Sequence, residues 1–438
     1  MHGHGKHPFP LKPFPSVRTH IIIGMKHIYS LVAALAVLSP AALSAQTLRT
    51  ESASSSPEYL PEWQEGYLDI HTVATGKGDA ALILMPDGTS MLIDAGDNDK
   101  WGPQHPDASK KVGEWLSIYI KHFLSQVRPG CDTLDYVMIT HFHADHIGVI
   151  RDALPGHDGY DLSGITLLGE YLHFNKFVDR DYPDYDFPSK ERVLGADRGF
   201  IPHYINFVNH IAEQGTTVEK FSVGSKSQFR LRYEPKKYSK NFQIRNLAAN
   251  GEVWTGKGMK SRKMYSGDPT LFDENIVSCA VKLSYGKFAY YNGGDIAGGN
   301  WGKNKCRERD FETDIAKVCG PVTVIKADHH GYHDTCNAFF MRTLSPQVII
   351  IDASHKNHPC ADALQRMTDP FIWSGERDIY ITGEYSRAQL GEDLWKTFKP
   401  WGHIVVRVYP GGNSYQVFVL DADSTDYRIK YKTGVVNL

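Results

Sequence analysis

The stretch Thr-His-Phe-His-Ala-Asp-His-Ile-Gly at 140–148 constrains this chain more than any other. Three histidines and an aspartate fall within six residues, directly after the apolar run Leu-Asp-Tyr-Val-Met-Ile-Thr at 134–140. That run reads as a buried strand. Neutral imidazole and carboxylate are good ligands for zinc. His141 and His143 are two apart at the strand end, so their side chains can point the same way. Asp145 and His146 follow where the chain turns into the next element. A lone histidine on a strand is more often structural than a ligand, but four such residues after one strand read as metal-binding. They cannot all surround one tetrahedral ion comfortably. The arrangement instead feeds two neighbouring ions, one pair of residues to each. Two ions about 3.5–4 Å apart can share a hydroxide nucleophile and hold the attacked oxygen. The remaining ligands must come from elsewhere in the chain.

The 438 residues are 41% hydrophobic and 22% charged, enough apolar material for a large core. A net charge of -2 names no partner by bulk electrostatics. Met25-Lys26-His27 opens a short basic start, followed by an apolar run ending in small residues near Ala45. This reads as a secretory signal peptide over 25–45, with an uncleaved N-terminal anchor as the alternative, and makes 1–24 an upstream or non-native extension. The expectation is an exported protein, periplasmic or at the cell surface, with no membrane span in the mature chain. His2, His4, His7, His20 and His27 fall in the pre-sequence and are set aside. Residues 46–64 have no period and read as a linker. The six cysteines show no CxxC spacing and read as free thiols or disulfide partners, not as metal ligands.

From Tyr67 onward, strand and helix patterns alternate to near the C-terminus without a second linker or an internal repeat. One α/β domain over 65–438 is therefore expected. Lys110–Gln126 and Pro202–Gln214 have helical spacing, the latter with proline at its start. Residues 226–263 stand apart, with many Lys and Arg and only Glu234 and Glu252 as acids. They read as a basic insertion, either a solvated loop or a flap that meets an anionic substrate.

His-x-His-x-Asp-His after an apolar strand resembles the signature of the metallo-β-lactamase superfamily. TGKGDAALILMPDGTSMLIDAG resembles the opening of the soluble hydrolase domain of ComEC-type DNA-uptake proteins. NIVSCAVKLSYGKFAYYNGGD resembles that family's paired strands ending in Gly-Asp, and IKADHHG its His-His-Gly motif. Asn-His-Pro at 357–359 resembles its later Gly-His-Pro motif, and the phosphorylcholine esterases look similar in the same places. The resemblance implies a four-layer αββα sandwich, two mixed sheets packed face to face with helices outside.

It also implies a ligand set. His141 and His143 hold the first ion, Asp145 and His146 the second, and Asp295 bridges them. His329 or His330 completes the first ion; His330 is preferred because adjacent side chains on an extended chain diverge. His173 is the rival for that place. His358 completes the second ion, with His355 as its competitor. Asp94 supports the site by fixing a ligand's tautomer, and Asp79 has similar status. Asp69 and His71 are structural or supporting, not ligands. Asp145 or a water at the ligand site handles protons, and His329, where it is not a ligand, acts as general acid or hydrogen-bonds the leaving group. Lys326, Tyr332 and Asn357 are the candidate substrate contacts.

The two ions are expected to be divalent: zinc first, with manganese or iron as alternatives. No serine or cysteine nucleophile signature competes. The leading expectation is an exported binuclear phosphodiesterase or phosphoesterase, a nuclease among them, acting on a small molecule or an anionic polymer. Nucleic acid enters only as a substrate. A hydrolase of carbonyl esters, lactones or amides, β-lactams included, is the second reading. A non-catalytic metal-binding surface protein is the third.

Overall fold

Alternation of side chains along the strands builds the architecture. In the computed structural model, which describes residues 56–438 apart from 101, 157, 158, 198, 302, 303 and 354, six strands come first. They are β1 (Leu68–Thr72), β2 (Ala81–Leu84), β3 (Ser90–Ile93), β4 (Thr133–Met138), β5 (His173–Asp179) and β6 (Thr217–Lys220). They lie side by side in that order, antiparallel from β1 to β3 and parallel from β3 to β6. A second sheet takes β7 (Phe242–Ala249), β8 (Glu252–Trp254), β9 (Ser261–Lys263), β10 (Ala280–Tyr285) and β11 (Phe288–Asn292). A hairpin of β12 (Gly298–Trp301) and β13 (Asn304–Asp310) stands apart from both sheets. The second sheet is completed by β14 (Val324–Lys326), β15 (Val348–Ile351) and β16 (Asp378–Ile381), in the order β16-β15-β14-β11-β10-β7-β8-β9. The chain then returns to the first sheet. There β17 (His403–Val408) pairs with β1, followed outward by β18 (Ser414–Leu420), which carries β19 (Ile429–Lys432) and β20 (Val436–Asn437).

Successive residues of one strand serve different layers. Met91 and Ile93 of β3 point between the sheets, where they join Ile70, Val406, Ile244, Leu283, Tyr290 and Ile350. Leu92 points outward, into a core with Leu116, Ile120 and Phe207 from the helices Val112–Val127 and Ile201–Glu213. On the far side, Tyr291, Ile325 and Ile349 pack on Ile315, Phe340 and Leu364 of three further helices. The result is the four-layer αββα sandwich with two mixed sheets. Among the described residues no helix is long and apolar enough to cross a membrane.

Three expectations meet the structure differently. The extension at 1–24, the signal peptide at 25–45 and the first part of the linker lie outside the described residues. The last part of that linker is packed: Tyr59 bridges to Arg428, Leu60 is in a core and Trp63 donates its backbone N–H to Gln126. The 226–263 segment is not a loop. It contains β7, β8 and β9, with Phe242 and Ile244 in the inter-sheet core and Gln243 exposed between them. The lysines and arginines that suggested a loop decorate the solvent side of sheet strands and turns. Arg262 is tied to Asp314 at 2.8 Å, and Arg307 and Lys317 meet the same carboxylate.

The core also carries a pH liability. His403 is buried, and its Nδ1 accepts the Ala74 N–H at 3.1 Å. Burial pushes its pKa down to about 3. The unfolded chain therefore takes up a proton below pH ~6.5 that the folded chain refuses until about pH 3, and stability falls as pH drops through that window. His403→Asn, which keeps an acceptor, is expected to flatten the fall in unfolding free energy between pH ~6 and ~4 by roughly 1.4 kcal/mol per pH unit. Urea unfolding at several pH values measures it, and an unchanged slope would refute it.

Candidate metal centre

The site lies at the carboxyl ends of β3, β4, β11, β14 and β15. These strands deliver Asp94, the 141–146 stretch, Asp295, the Asp328–Gly331 turn and the segment up to His358, respectively. His143 is the N-cap of the single-turn helix Ala144–Ile147, which carries Asp145 and His146. The loops around this turn approach so closely that a Cβ at Gly96 would stand 1.8 Å from the Asp145 carbonyl oxygen. Glycine is therefore required there.

The histidine rings present different nitrogens to different partners. His146 Nδ1 meets Asp94 Oδ2 at 2.8 Å, while its Nε2 faces Asp295 Oδ2 at 3.3 Å and Asp145 Oδ2 at 3.8 Å. His330 Nδ1 faces Asp79 Oδ1 at 3.0 Å and the Asp352 carbonyl at 2.9 Å. Its Nε2 faces Asp145 at 3.0 Å and Asp295 Oδ2 at 3.3 Å. Asp79 and Asp94 thus stand behind the rings, where a carboxylate fixes tautomer and orientation. Asp145 and Asp295 stand in front. His141 Nε2 lies 3.1 Å from His143 Nδ1 and 3.9 Å from Asp295 Oδ2. His329 Nε2 lies 4.0 Å from the same oxygen, with Asp334 on its Nδ1 at 3.0 Å. One carboxylate oxygen is therefore the point on which four imidazoles converge.

Asp79, His146, Asp295 and His330 are all buried, and each brings a ligand-type atom to within 4.8 Å of the others. Burial works against a charged ring at His146 and His330, yet Asp295, with Asp94 at His146 and Asp79 at His330, holds each well above the usual histidine range. Burial likewise opposes charge on Asp295, but His330, His146 and Lys326 keep its carboxyl well below the usual range. Burial pulls His141 and His358 well below theirs. The donor set fits a cation. His146 Nε2 is buried without a hydrogen bond while two carboxylates face it. The rings of His146 and His330 would have to give up their protons to hold an ion here.

The His-His pair departs from the extended geometry expected for it. His329 (φ 44°) and His330 (φ 54°) both adopt the left-handed conformation, inside the turn Asp328–Gly331. Each costs about 1–2 kcal/mol in a non-glycine residue. The rings diverge, as expected, but in the opposite sense. His330 reaches the Asp145 side and stacks on His358 at 4.3 Å, while His329 lies on the rim of the cleft. The preference for His330 beside His141 and His143 is corrected accordingly. His355 is a neighbour of His358, with ring centroids 5.4 Å apart. His173 is exposed at the start of β5, the end of the strand opposite the site. It is no rival.

Lys326 was expected to touch substrate. It is 1% exposed and lies beneath the site, bonded to Asp79 Oδ2 at 2.7 Å. Tyr332 packs its ring 5.1 Å from His329 and 6.2 Å from His358. Asn357 is half-buried in the turn before His358 and donates its backbone N–H to His355 Nδ1. Neither lines the cleft of about 270 Å³ over the site, which is bordered by Asn98, His143, Asp145, Asp197, Asn275, Asp295, His329 and His358. No described residue of 226–263 borders it either. Asp69 and His71 point to the outer layer, where Asp69 pairs with Arg407 at 2.6 Å and His71 meets Tyr119 at 3.0 Å.

Supporting residues escaped the sequence reading. Thr140 ties Asp94 through its N–H and its hydroxyl, both at 2.7 Å. Asn275 Nδ2 reaches His329 Nε2 at 3.2 Å. Arg180 and Glu274 form a buried pair at 2.7 and 2.8 Å, and Glu274 also accepts the Phe142 N–H inside the histidine stretch. Only Asp334, five residues after His329, carried a local signal.

Residues 74–195 match the family model described as the metallo-beta-lactamase superfamily. A comparison with curated proteins gives no match. Among solved structures the chain is similar to CmlA, a diiron beta-hydroxylase from Streptomyces venezuelae, at 11% identity and a TM-score of 0.35, over 73% of this chain and 53% of that one. It is also similar to human tRNase Z, short form, at 13% identity and a TM-score of 0.29, over 64% and 91%. The chain spans about half the length of the CmlA chains it matches. These are weak likenesses of fold.

Proposed function

We propose that this chain, a metal-dependent hydrolase of the metallo-β-lactamase superfamily, works with two divalent ions on a phosphoester or phosphodiester bond. The observation that carries the two-ion reading is the convergence on Asp295 Oδ2, at 3.3 Å from His146 and His330, 3.9 Å from His141 and 4.0 Å from His329. His141, His143 and His329 would hold one ion, and Asp145, His146 and His330 the other, with His358 beside them and Asp295 within reach of both sets. Zinc suits this imidazole and carboxylate set, and manganese and iron are the alternatives. When bound, such ions activate water and offset the negative charge that develops on the attacked group. The protein's part is to place them. Asp94 and Asp79 hold the rings of His146 and His330, Asp334 orients His329, and Asp145 is the carboxylate placed to take and return a proton.

The phosphoester assignment rests on the Gly-Asp and His-His-Gly motifs with their resemblance to phosphoesterase-type members. Export rests on the 25–45 stretch. Zinc-loaded protein incubated with bis-p-nitrophenyl phosphate, p-nitrophenyl phosphorylcholine, single- and double-stranded DNA, an ester panel and nitrocefin tests the substrate. Turnover of at least one phosphorus substrate is expected. Activity confined to esters, lactones or lactams would move the assignment to carbonyl chemistry. Full metal occupancy without turnover anywhere would support a binding protein.

A further inference from the structure

Lys326 has no part in the reading above, yet it is a buried cation beside the site with three partners. An ammonium has three donors. At Lys326 they go to Asp79 Oδ2 at 2.7 Å, the Gly294 carbonyl at 2.9 Å and Asp295 Oδ1 at 3.3 Å. Lysine is almost never fully buried unless paired, and here the pairing is specific. It divides the two oxygens of Asp295 between two duties. Oδ1 faces the ammonium, and Oδ2 faces the four imidazoles. The Asp295 N–H is fixed as well, donating to Ser278 Oγ at 3.2 Å.

We propose that Lys326 is a positioning residue that holds Asp295 Oδ1 and Asp79 Oδ2, so that Asp295 offers Oδ2 alone to the metal ions. This rests on the two-ion reading. Burial opposes a charge on Lys326, but Asp79, Asp295 and Asp352 keep it protonated far above the usual range. The lysine also acts as a resident counter-cation. It balances Asp79, Asp295 and Asp352, three of the buried aspartates around the site, in the protein without ions. Without it, Asp295 is free to turn its second oxygen toward the ions, and the apo protein is left with unpaired buried charge.

Lys326→Met keeps length and removes charge. The readouts are zinc per chain, melting temperature with chelator and with saturating zinc, and the visible spectrum after cobalt(II) substitution. For wild type, two zinc ions are expected. For Lys326→Met, two zinc ions are again expected at saturation. Its melting temperature should fall by about 5 °C in chelator and by less than about 2 °C with zinc, because bound ions replace the missing charge. The cobalt bands should lose about half their intensity as the ions gain an extra oxygen ligand. If Lys326→Met does not fold, Asp79→Asn with Lys326→Met keeps the net charge of the cluster and should show the same spectral change. A cobalt spectrum identical to wild type in a folded variant overturns the positioning role alone. Wild-type protein that binds no zinc overturns this proposal and the two-ion reading together.

Discussion

Asp295→Ala is expected to lower turnover by at least ~10³-fold and to reduce bound zinc from two ions per chain to one or none. The size follows from the geometry. Among the described residues, Asp295 alone has one oxygen within 4.0 Å of ring nitrogens from both halves of the site, His141 and His329 on one side and His146 and His330 on the other. Removing it also strips Lys326 of a partner and leaves an ammonium that is 1% exposed with less charge to balance it. Metal content by elemental analysis, beside turnover of the best phosphorus substrate, measures both effects. A variant that keeps two zinc ions and near wild-type turnover would remove Asp295 from the centre of the site.

Arg180→Met is expected to cost about 3–5 kcal/mol of stability, the usual result of breaking a buried ion pair by deleting one partner. Arg180 is fully buried and donates to both oxygens of Glu274, to the Phe187 carbonyl and to Asn250 Oδ1. Its guanidinium lies 4.3 Å from the Phe142 ring centroid, between the first two site histidines in sequence. Glu274 holds the Phe142 N–H at 3.1 Å, so the pair props up the histidine stretch from below. Glu274→Gln added to Arg180→Met should recover part of the loss, because it removes the stranded charge. Urea unfolding of the zinc-loaded proteins gives the numbers. A loss under about 1 kcal/mol for the single variant would mean that the pair is not needed to hold this loop.

The sequence made the near parts of the site legible and hid the far ones. His141, His143, Asp145 and His146 sit in one stretch after an apolar strand, and a local pattern was enough to find them. Asp295 was found only through its Gly-Asp motif, since nothing local says that β11 ends opposite β4. The sides taken by His329 and His330 could not be read, because two consecutive left-handed residues defy the alternation expected of an extended chain. The basic 226–263 segment misled for a related reason. Its charge count suggested a loop, while the alternation of Phe242 and Ile244 with Gln243 and Arg245 already marked a strand with one face in the core. Arg180 and Glu274 are 94 residues apart, and their partnership exists only once the loops over the sheets have closed. Lys326 was noticed for its position beside the His-His-Gly motif, but its direction, beneath the site and away from the cleft, depends on the pleat of β14.

The central claim is that two ions share Asp295. Crystals of the zinc-loaded protein, measured for anomalous scattering on both sides of the zinc absorption edge, test it most directly. The account predicts two peaks about 3.5–4 Å apart on either side of Asp295 Oδ2, one beside His141, His143 and His329 and the other beside Asp145, His146 and His330. A single peak at full zinc saturation, or peaks that do not touch Asp295, would contradict it.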